Sequence, residues 1–269
     1  MKKYFLIGLV IIFAALTNTA KAQIFLGEAF VGLNTCQVDG DQIMGYFKEG
    51  INVGVGVIAP VWEKNKFSME LSLEVLYNQK GARQGRKFFD HAIDPNTGIE
   101  ITGEYDLSMS YGEVPLMVYF SDKHVVSAGV GVSYARLMGL KEYEHGVRTP
   151  VTATSGEYEQ NEFNILADVK IRVYKRWKAG FRYSYSLNPI RTREYYNKEG
   201  VSLGTFNQYN NMFTLRLTYV FNEKEENLLR EEYHYTGDNP KFHDKVVARQ
   251  YKKLKKKQER EARKTQIGQ

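Results

Sequence analysis

Apolar and polar side chains alternate almost without exception between Asn211 and Phe221. Thr214, Arg216 and Thr218 are the polar positions at the centre of this stretch. The apolar positions around them are Phe213, Leu215, Leu217, Tyr219 and Phe221. Successive residues of a β-strand point to opposite sides of the sheet, so the pattern predicts a strand with one apolar and one polar face.

The same period of two recurs in seven further stretches that follow Gln23. The eight predicted strands cover residues 24–34, 46–60, 66–78, 105–120, 123–138, 160–175, 177–188 and 207–221. Their connections alternate between long and short, which is typical of outer-membrane barrels with both termini in the periplasm. A soluble sandwich has no reason to collect its long loops at one end. We therefore predict an all-β fold, a closed antiparallel eight-stranded transmembrane β-barrel over residues 23–221.

The N-terminus has the parts of a secretory signal peptide. Lys2 and Lys3 precede the apolar run YFLIGLVIIFAAL, and Ala20-Lys21-Ala22 offers the small residues of a cleavage site. We predict a signal peptide over residues 1–22, cleaved after Ala22, and a mature chain in the cell outer membrane. An uncleaved anchor is the alternative, although the apolar run is short for one. No later stretch approaches the roughly 20 consecutive apolar residues that a spanning helix needs.

Composition and charge narrow the possibilities further. The chain is poor in proline (6) and rich in tyrosine (19), phenylalanine (15) and glycine (23), as is typical of β-rich proteins. Cys36 is the single cysteine, which excludes an intrachain disulfide and a cysteine-based metal cluster. The net charge of +6 is concentrated in the segment from Lys241 onward, where 11 Lys and Arg face 3 Asp and Glu. The predicted barrel itself is therefore close to neutral.

The inward faces of the predicted strands carry charges of both signs. These residues are Glu70, Glu74, Glu113, Asp168, Lys170, Arg172, Arg182 and Arg216. An eight-stranded barrel is just wide enough to be filled by side chains, and an unpaired buried charge costs several kcal/mol. We therefore predict a lumen plugged by pairs between Glu70, Glu74 or Asp168 and Arg172, Arg182 or Arg216. Inward glycines are expected to leave room for the arginines, namely Gly54, Gly56, Gly129 and Gly131. A selective pore or a proton path is the alternative.

The fourth predicted strand contains a change of phase. Apolar residues occupy odd positions up to Tyr111 and even positions from Val114 onward, and Pro115 cannot donate to a ladder. This combination predicts a β-bulge near Glu113, which would aim the Glu113 carboxylate into the lumen toward an arginine.

Three segments resemble a known family. GLNTCQVDGDQIMGYFKEGINVGVGV, LSLEVLYNQKGA and YGEVPLMVYF resemble the PorT-like outer-membrane β-barrel proteins of Bacteroidetes. Those proteins show a Gly-Leu-Asn first strand, a strand ending Tyr-x-x-Lys-Gly and a Tyr-x-Glu-x-Pro-Leu strand. The resemblance covers residues 24–221 and implies a small eight-stranded barrel. Because the namesake of the family is needed for type IX secretion, the export route of gliding adhesins and surface proteases, the resemblance also implies a part in that process.

The histidines do not suggest an active site. Small outer-membrane barrels that act on lipid A or peptides need a nucleophile, a base and an orienting carboxylate near the rim. The histidines are scattered over loops, a short turn and the tail: His91, His124, His145, His234 and His243. We expect no enzyme, no cofactor and no metal site. A surface enzyme acting on lipid A or peptides is the alternative from another functional class.

The predicted tail, residues 222–269, is a charged and partly helical periplasmic extension. Its most basic run contains Lys252, Lys253, Lys255, Lys256 and Lys257. We expect these lysines to dock a periplasmic protein partner or peptidoglycan. Nucleic acid is excluded as a partner, because a secreted chain meets none in the periplasm. A solvated tail without a partner is the alternative.

Together these features predict a monomeric, non-enzymatic barrel in outer-membrane lipid, with a structural or accessory role. A small passive channel is a further alternative. Trp62 and Trp177 lie in or beside short turns, so we expect both indoles at the periplasmic interface, where tryptophan is favoured.

Overall fold

The computed structural model describes residues 25–41, 43–64, 67–86, 93, 98, 100–122, 124–196 and 202–223. The predicted signal peptide and cleavage site lie outside the described residues. So do His91, His234, His243 and the tail lysines Lys252, Lys253, Lys255, Lys256 and Lys257. The predictions made for these segments therefore stay predictions.

Ten strands follow one another along the chain. They are β1 (Leu26–Asp39), β2 (Lys48–Lys64), β3 (Phe67–Gln84), β4 (Tyr105–Asp122), β5 (Val126–Glu144), β6 (Val147–Arg148), β7 (Asn161–Tyr174), β8 (Trp177–Ser186), β9 (Arg191–Tyr196) and β10 (Ser202–Phe221). Eight of them form an antiparallel ring in the order β1-β2-β3-β4-β5-β7-β8-β10, and β1 pairs with β10. The short β6 pairs with β5, and β9 pairs with β10. The predicted closed eight-stranded barrel is confirmed.

The alternating stretch between Asn211 and Phe221 is the strand that closes the ring. Its residues pair with β1 in an unbroken register from Gly27 opposite Phe221 to Asp39 opposite Tyr209. On the other side, β10 pairs with β8 from Asn211 opposite Tyr185. Closure removes both edges of the sheet over this part of the barrel.

The two faces of the wall differ sharply in polarity. On the outer face, Leu33 is 68% exposed and Leu215 is 65% exposed. On the inner face, Glu74 and Thr214 are fully buried. A wall with apolar residues outside and polar residues inside is the arrangement of a barrel that faces lipid. Among the described residues, no helix is long and apolar enough to cross a membrane.

The barrel has a short-turn end and a long-loop end. The short-turn end carries the connections β2–β3, β4–β5 and β7–β8, and all longer connections lie at the other end. Trp62 and Trp177 both lie at the short-turn end and are partly exposed. The Trp177 ring packs edge-on against Tyr219, with ring centroids 5.0 Å apart. The depth of either indole in a membrane stays a prediction.

Several strands are longer than the sequence pattern predicts. β3 ends at Gln84 and β5 at Glu144, each six residues beyond the predicted end, and β10 begins at Ser202. The β4–β5 ladder continues up to Tyr105 opposite Glu144. The hydrophobic alternation stops where the outer face leaves the apolar band, but backbone pairing continues beyond it. A pattern of apolar side chains cannot report that extension.

The ladder between β2 and β3 stops early at the long-loop end. Its last pair is Asn52 opposite Asn78, although both strands continue. We call the unpaired part the β2–β3 seam, formed by residues 48–51 of β2 and 79–84 of β3. Asn34 donates to the Ile51 carbonyl at 3.3 Å and to the Gln79 carbonyl at 2.8 Å, and the Gln79 side chain accepts from the Ile51 N–H at 3.3 Å. Side chains therefore bond two carbonyls and one N–H of the seam that the ladder leaves.

Candidate functional site

The lumen contains a set of paired charges that we call the ion network: Glu28, Glu74, Asp168, Lys170, Arg182 and Arg216. Alternation along β1, β3, β7, β8 and β10 turns each of these side chains inward. At its centre, the Glu74 carboxylate accepts two hydrogen bonds from Arg182, at 2.7 and 2.9 Å, and one from Arg216 at 3.0 Å. The predicted pairing of Glu74 with Arg182 and Arg216 is thus what the structure shows.

Arg182 also bridges to a second carboxylate. Its Nη2 atom lies 2.7 Å and its Nε atom 2.9 Å from Asp168 Oδ2. The Tyr119 hydroxyl donates to the same oxygen at 2.7 Å. Arg182 therefore ties β8 to β3 through Glu74 and to β7 through Asp168, across the inside of the ring.

Lys170 completes the ion network toward the short-turn end. Its Nζ atom lies 2.9 Å from Glu28 Oε2 and 4.4 Å from the centre of the Tyr119 ring. The Ser72 hydroxyl donates to the other Glu28 oxygen at 2.7 Å. Every charged member is almost fully buried and has an opposite charge within reach, as burial of ions requires.

A second charged group lies closer to the long-loop end. Lys80 Nζ is 2.7 Å from Glu162 Oε1 and 3.6 Å from Glu113 Oε2. Asn78 and Ser133 also donate to Glu113, and Asn210 donates to Glu162 at 2.9 Å. Glu113 does face the lumen as predicted, but its cationic partner is a lysine rather than an arginine.

The predicted β-bulge near Glu113 is wrong. The residues of β4 keep one phase throughout, and the irregularity lies in β5, where Tyr111 faces Leu137 while Ser110 faces Gly139. The side chains at 107, 109 and 111 are apolar and still point inward. The prediction failed because it assigned every apolar residue to the lipid-facing side.

Those inward apolar residues belong to what we call the apolar cluster, which fills the lumen toward the long-loop end. Its buried members are Val38, Ala82, Leu107, Met109, Tyr111, Ala135, Leu137, Leu140, Val151, Tyr158 and Ile190. Above it, the Glu142 carboxylate accepts hydrogen bonds from Tyr105 at 2.8 Å, Tyr158 at 3.1 Å and Arg191 at 2.7 Å. Burial raises the pKa of the Tyr158 hydroxyl well above its ordinary range. Tyr158 is therefore a neutral donor in this cap.

Two predicted members of the plug, Glu70 and Arg172, lie away from the ion network. Arg172 forms a two-bonded pair with Glu223, with one bond at 2.9 Å, and donates to the His124 carbonyl at 2.9 Å. Glu70 lies 3.7 Å from His124, and its carboxylate raises the pKa of the His124 imidazole. Both residues therefore close the mouth of the barrel at the short-turn end.

The inward glycines make room for neighbours other than arginines. A Cβ atom on Gly129 would lie 2.4 Å from the Tyr119 ring, and one on Gly131 would lie 2.5 Å from Met117 Sδ. Gly54 and Gly56 similarly face Leu76 and Glu28. The expectation that these glycines accommodate the arginines directly is wrong.

Several residues of the lumen were missed from sequence: Glu28, Lys80, Glu162, Asn78 and Asn210. Glu162 shares its parity with Asp168 and was detectable on that ground alone. Lys80 was hidden because the sequence places it beyond the predicted end of its strand. Among the described residues, no group of three or more His, Cys, Asp or Glu side chains is arranged to hold a metal ion.

Comparisons with known proteins agree with a barrel. Residues 22–191 match the family model described as outer membrane protein beta-barrel domain. No curated protein sequence matches the chain.

Three solved structures illustrate the structural likeness. Neisserial surface protein A is 10% identical with a TM-score of 0.39, covering 72% of this chain and 96% of its own. Ail of Yersinia pestis, in complex with the heparin analogue sucrose octasulfate, is 11% identical with a TM-score of 0.38, covering 73% and 99%. A major outer membrane protein from Thermus thermophilus is 12% identical with a TM-score of 0.40, covering 73% and 99%.

Proposed function

Because the chain belongs to the outer membrane protein beta-barrel domain family, we propose that it is a non-enzymatic structural or accessory barrel of the outer membrane whose lumen passes no solute. One observation carries this proposal: the ion network joins opposite walls of the ring through fully buried side chains. Arg182 reaches from β8 to Glu74 on β3, and Arg216 reaches the same carboxylate from β10.

The apolar cluster supports the proposal independently. Tyr111, Leu107 and Met109 are at most 1% exposed, so water reaches none of them from the long-loop end. A dissolved ion would have to displace both the apolar cluster and the ion network. Displacing one partner of a buried pair would leave the other charge uncompensated, which is strongly unfavourable.

Single-channel recording in a planar bilayer tests the closed lumen. We expect no steady conductance from the wild-type chain. The combined variant Arg182→Ala, Arg216→Ala and Tyr111→Ala should conduct, which would show that the assay detects inserted barrels. An Arg136→Ala variant, changed at an exposed outer position, should stay silent. A steady wild-type conductance would support the passive channel and refute the proposal.

We further propose that the short-turn end faces the periplasm and that the basic tail docks a periplasmic partner there. The excess of 11 basic over 3 acidic residues from Lys241 onward supports an acidic partner surface. A chain that ends at Lys224 keeps the Arg172–Glu223 pair, so it should insert and resist heat but lose partner capture.

Exchange of the five tail lysines for glutamine should weaken the same capture. The loss relative to wild type should shrink as salt is raised, because screening over a Debye length of about 8 Å at physiological salt already weakens the wild-type attraction. Exchange of exposed Lys64 for glutamine is the control and should change nothing. Full capture by the truncated chain would mean that the tail is solvated chain without a partner.

The PorT-like assignment and a part in type IX secretion are finer proposals that rest on the motif resemblance. Deletion of the gene should then reduce the surface display of adhesins and proteases exported by that route. Complementation with the full chain should restore the display. Normal display in the deletion strain would remove type IX secretion from the proposal and leave the closed barrel untouched.

The absence of enzyme activity is also a proposal. It is supported at the rim by Glu142, whose carboxylate is already bound by Tyr105, Tyr158 and Arg191. Purified barrel incubated with lipid A or with a mixture of peptides should leave their masses unchanged. A new product that disappears in a Glu142→Gln variant would establish the surface enzyme instead.

A further inference from the structure

β9 has an open edge at the long-loop end. Its residues pair with the beginning of β10, from Ser202 opposite Tyr196 to Gln208 opposite Arg191. In the part of the chain that the structure describes, β9 pairs with no other strand. Every second residue of an antiparallel strand directs its N–H and C=O away from its partner. The outer edge of β9 therefore presents backbone donors and acceptors in the spacing of a sheet.

A groove of about 630 Å³ runs along this edge. One wall is β9, and the other is the loop that contains Gly156, Glu157 and Glu159. One end is closed by a backbone hydrogen bond of 2.8 Å from Glu159 N–H to the Ile190 carbonyl. Grooves of this size, about 300–1,000 Å³, accommodate ligands in many proteins.

The charges around the groove favour a cationic ligand. Arg191 is bound to Glu142 at 2.7 Å and to Glu157 at 3.2 Å, and Arg193 is bound to Glu144 at 2.5 Å. Three carboxylates line the groove, those of Glu157, Glu159 and Glu194, against the two guanidinium groups of Arg191 and Arg193. Both guanidinium groups are also paired with carboxylates outside the lining, Arg191 with Glu142 and Arg193 with Glu144. The excess negative charge attracts lysine or arginine side chains at a distance.

We propose that this groove binds an extended, lysine- or arginine-containing peptide segment, which adds to β9 as a further strand. The inference rests on the proposed function in one respect, namely that the long-loop end lies outside the cell. Six residues of β9 span about 20 Å, enough for several ladder hydrogen bonds to a peptide. A two-stranded ribbon gains stability from a third strand, and strand addition to a free edge is a common mode of peptide recognition.

The test uses the full chain in lipid nanodiscs and a fluorescent synthetic peptide in which threonine and lysine alternate. Fluorescence anisotropy should show saturable binding. The peptide with glutamate in place of lysine should bind at least about tenfold more weakly, because like charges then meet in the groove.

Two N-methylated forms of the lysine peptide separate strand addition from attraction by charge. Each form carries methyl groups on alternate backbone nitrogens, in one or the other phase. A peptide at a sheet edge uses only every second N–H, so one form should lose at least about tenfold in affinity while the other binds like the parent. Equal binding of both forms would overturn strand addition, and no binding of the parent peptide would overturn the site.

Charge variants locate the site on the barrel. The double variant Glu157→Gln and Glu159→Gln should weaken binding about threefold to tenfold and reduce its salt dependence. Glu49→Gln, changed at an exposed position of β2, is the matched control and should bind like wild type. Equal effects of both changes would place the peptide elsewhere and refute the inference.

This outcome is independent of the closed lumen. A barrel that conducts ions but binds the peptide would refute the proposed function and keep the inference. A barrel that conducts no ions and does not bind the peptide would keep the proposed function and refute the inference. Intact cells that fail to bind the peptide while nanodiscs bind it would refute only the outward orientation.

Discussion

The ion network and the apolar cluster fill successive parts of one lumen by different physical means. Glu74 is held by two arginines, so its contribution depends on a few directed bonds that are satisfied together. The contribution of Leu107 and its neighbours in the apolar cluster comes from close packing. A change in one of these side chains alters that contribution in proportion to the volume gained or lost. Next to the ion network, β2 and β3 are paired, with Gly56 opposite Glu74, whereas the apolar cluster includes Ala82 of the β2–β3 seam. Charge pairs thus stabilise the part of the barrel around the ion network, and packing stabilises the part around the apolar cluster.

The largest expected effect comes from Glu74→Ala. This change leaves Arg182 and Arg216 buried without their shared carboxylate, so the free energy of unfolding should fall by about 3–5 kcal/mol. Urea unfolding in detergent micelles, followed by tryptophan fluorescence, measures the change. The triple variant Glu74→Met, Arg182→Met and Arg216→Met should recover a large part of the loss, because no charge is left unpaired. A triple variant less stable than Glu74→Ala would contradict the account of the ion network.

Leu107→Ala should cost less, about 2–3 kcal/mol, because it opens a cavity without stranding a polar group. The same unfolding experiment applies. Leu107→Met conserves volume and should cost under about 1.5 kcal/mol. If Leu107→Met lowered the free energy of unfolding as much as Leu107→Ala, packing would not be what stabilises the apolar cluster.

Asn34→Ala should act locally and cost about 1–3 kcal/mol, because it leaves backbone groups of the β2–β3 seam without partners. Hydrogen exchange should quicken at Ile51 and at Gln79 and stay slow in the β1–β10 ladder. Gln37→Ala, on the outer face of the same strand, is the control. Uniformly faster exchange around the whole ring would show that the seam is not a separate unit.

The smallest effect concerns Asp41, beyond the end of β1. Burial raises the pKa of the Asp41 carboxyl to about 7, so the folded loop favours the neutral acid. The stability of this loop is therefore complete at low pH and declines as pH rises from about 4 toward 7. Asp41→Asn stays neutral, and should match wild type at about pH 4 but show slower hydrogen exchange near Ile43 at about pH 8. If Asp41→Asn and wild type exchanged at equal rates near Ile43 at about pH 8 as well as at about pH 4, the assignment would be refuted.

Alternation of side chains was sufficient to predict the ring and the centre of the ion network. Glu74, Arg182 and Arg216 each fall between lipid-facing apolar residues, so their inward direction follows from parity alone. Which carboxylate meets which arginine depends on the register between strands that are distant in sequence. For that reason Glu70 and Arg172 were placed in the ion network although they lie at the mouth of the barrel.

The apolar cluster was not predictable in the same way. Leu107 and Met109 have the side chains of lipid-facing residues, and only the position of β4 in the ring shows that they point inward. β9 was read as part of a long loop because its sequence, RTREYY, does not alternate between apolar and polar residues. Backbone pairing beyond the apolar band of the wall leaves no hydrophobic pattern in the sequence.

The β2–β3 seam has a consequence for how such a protein can change. Below the seam, a shift in any strand disturbs the ladders on both of its sides. At the seam, residues 48–51 of β2 are tied to β3 mainly through the Asn34 and Gln79 side chains. The loop between β1 and β2 can therefore be lengthened, exchanged or bent outward by altering a few side chains, while the ring keeps its register. The ring can therefore stay constant while the loop between β1 and β2 varies.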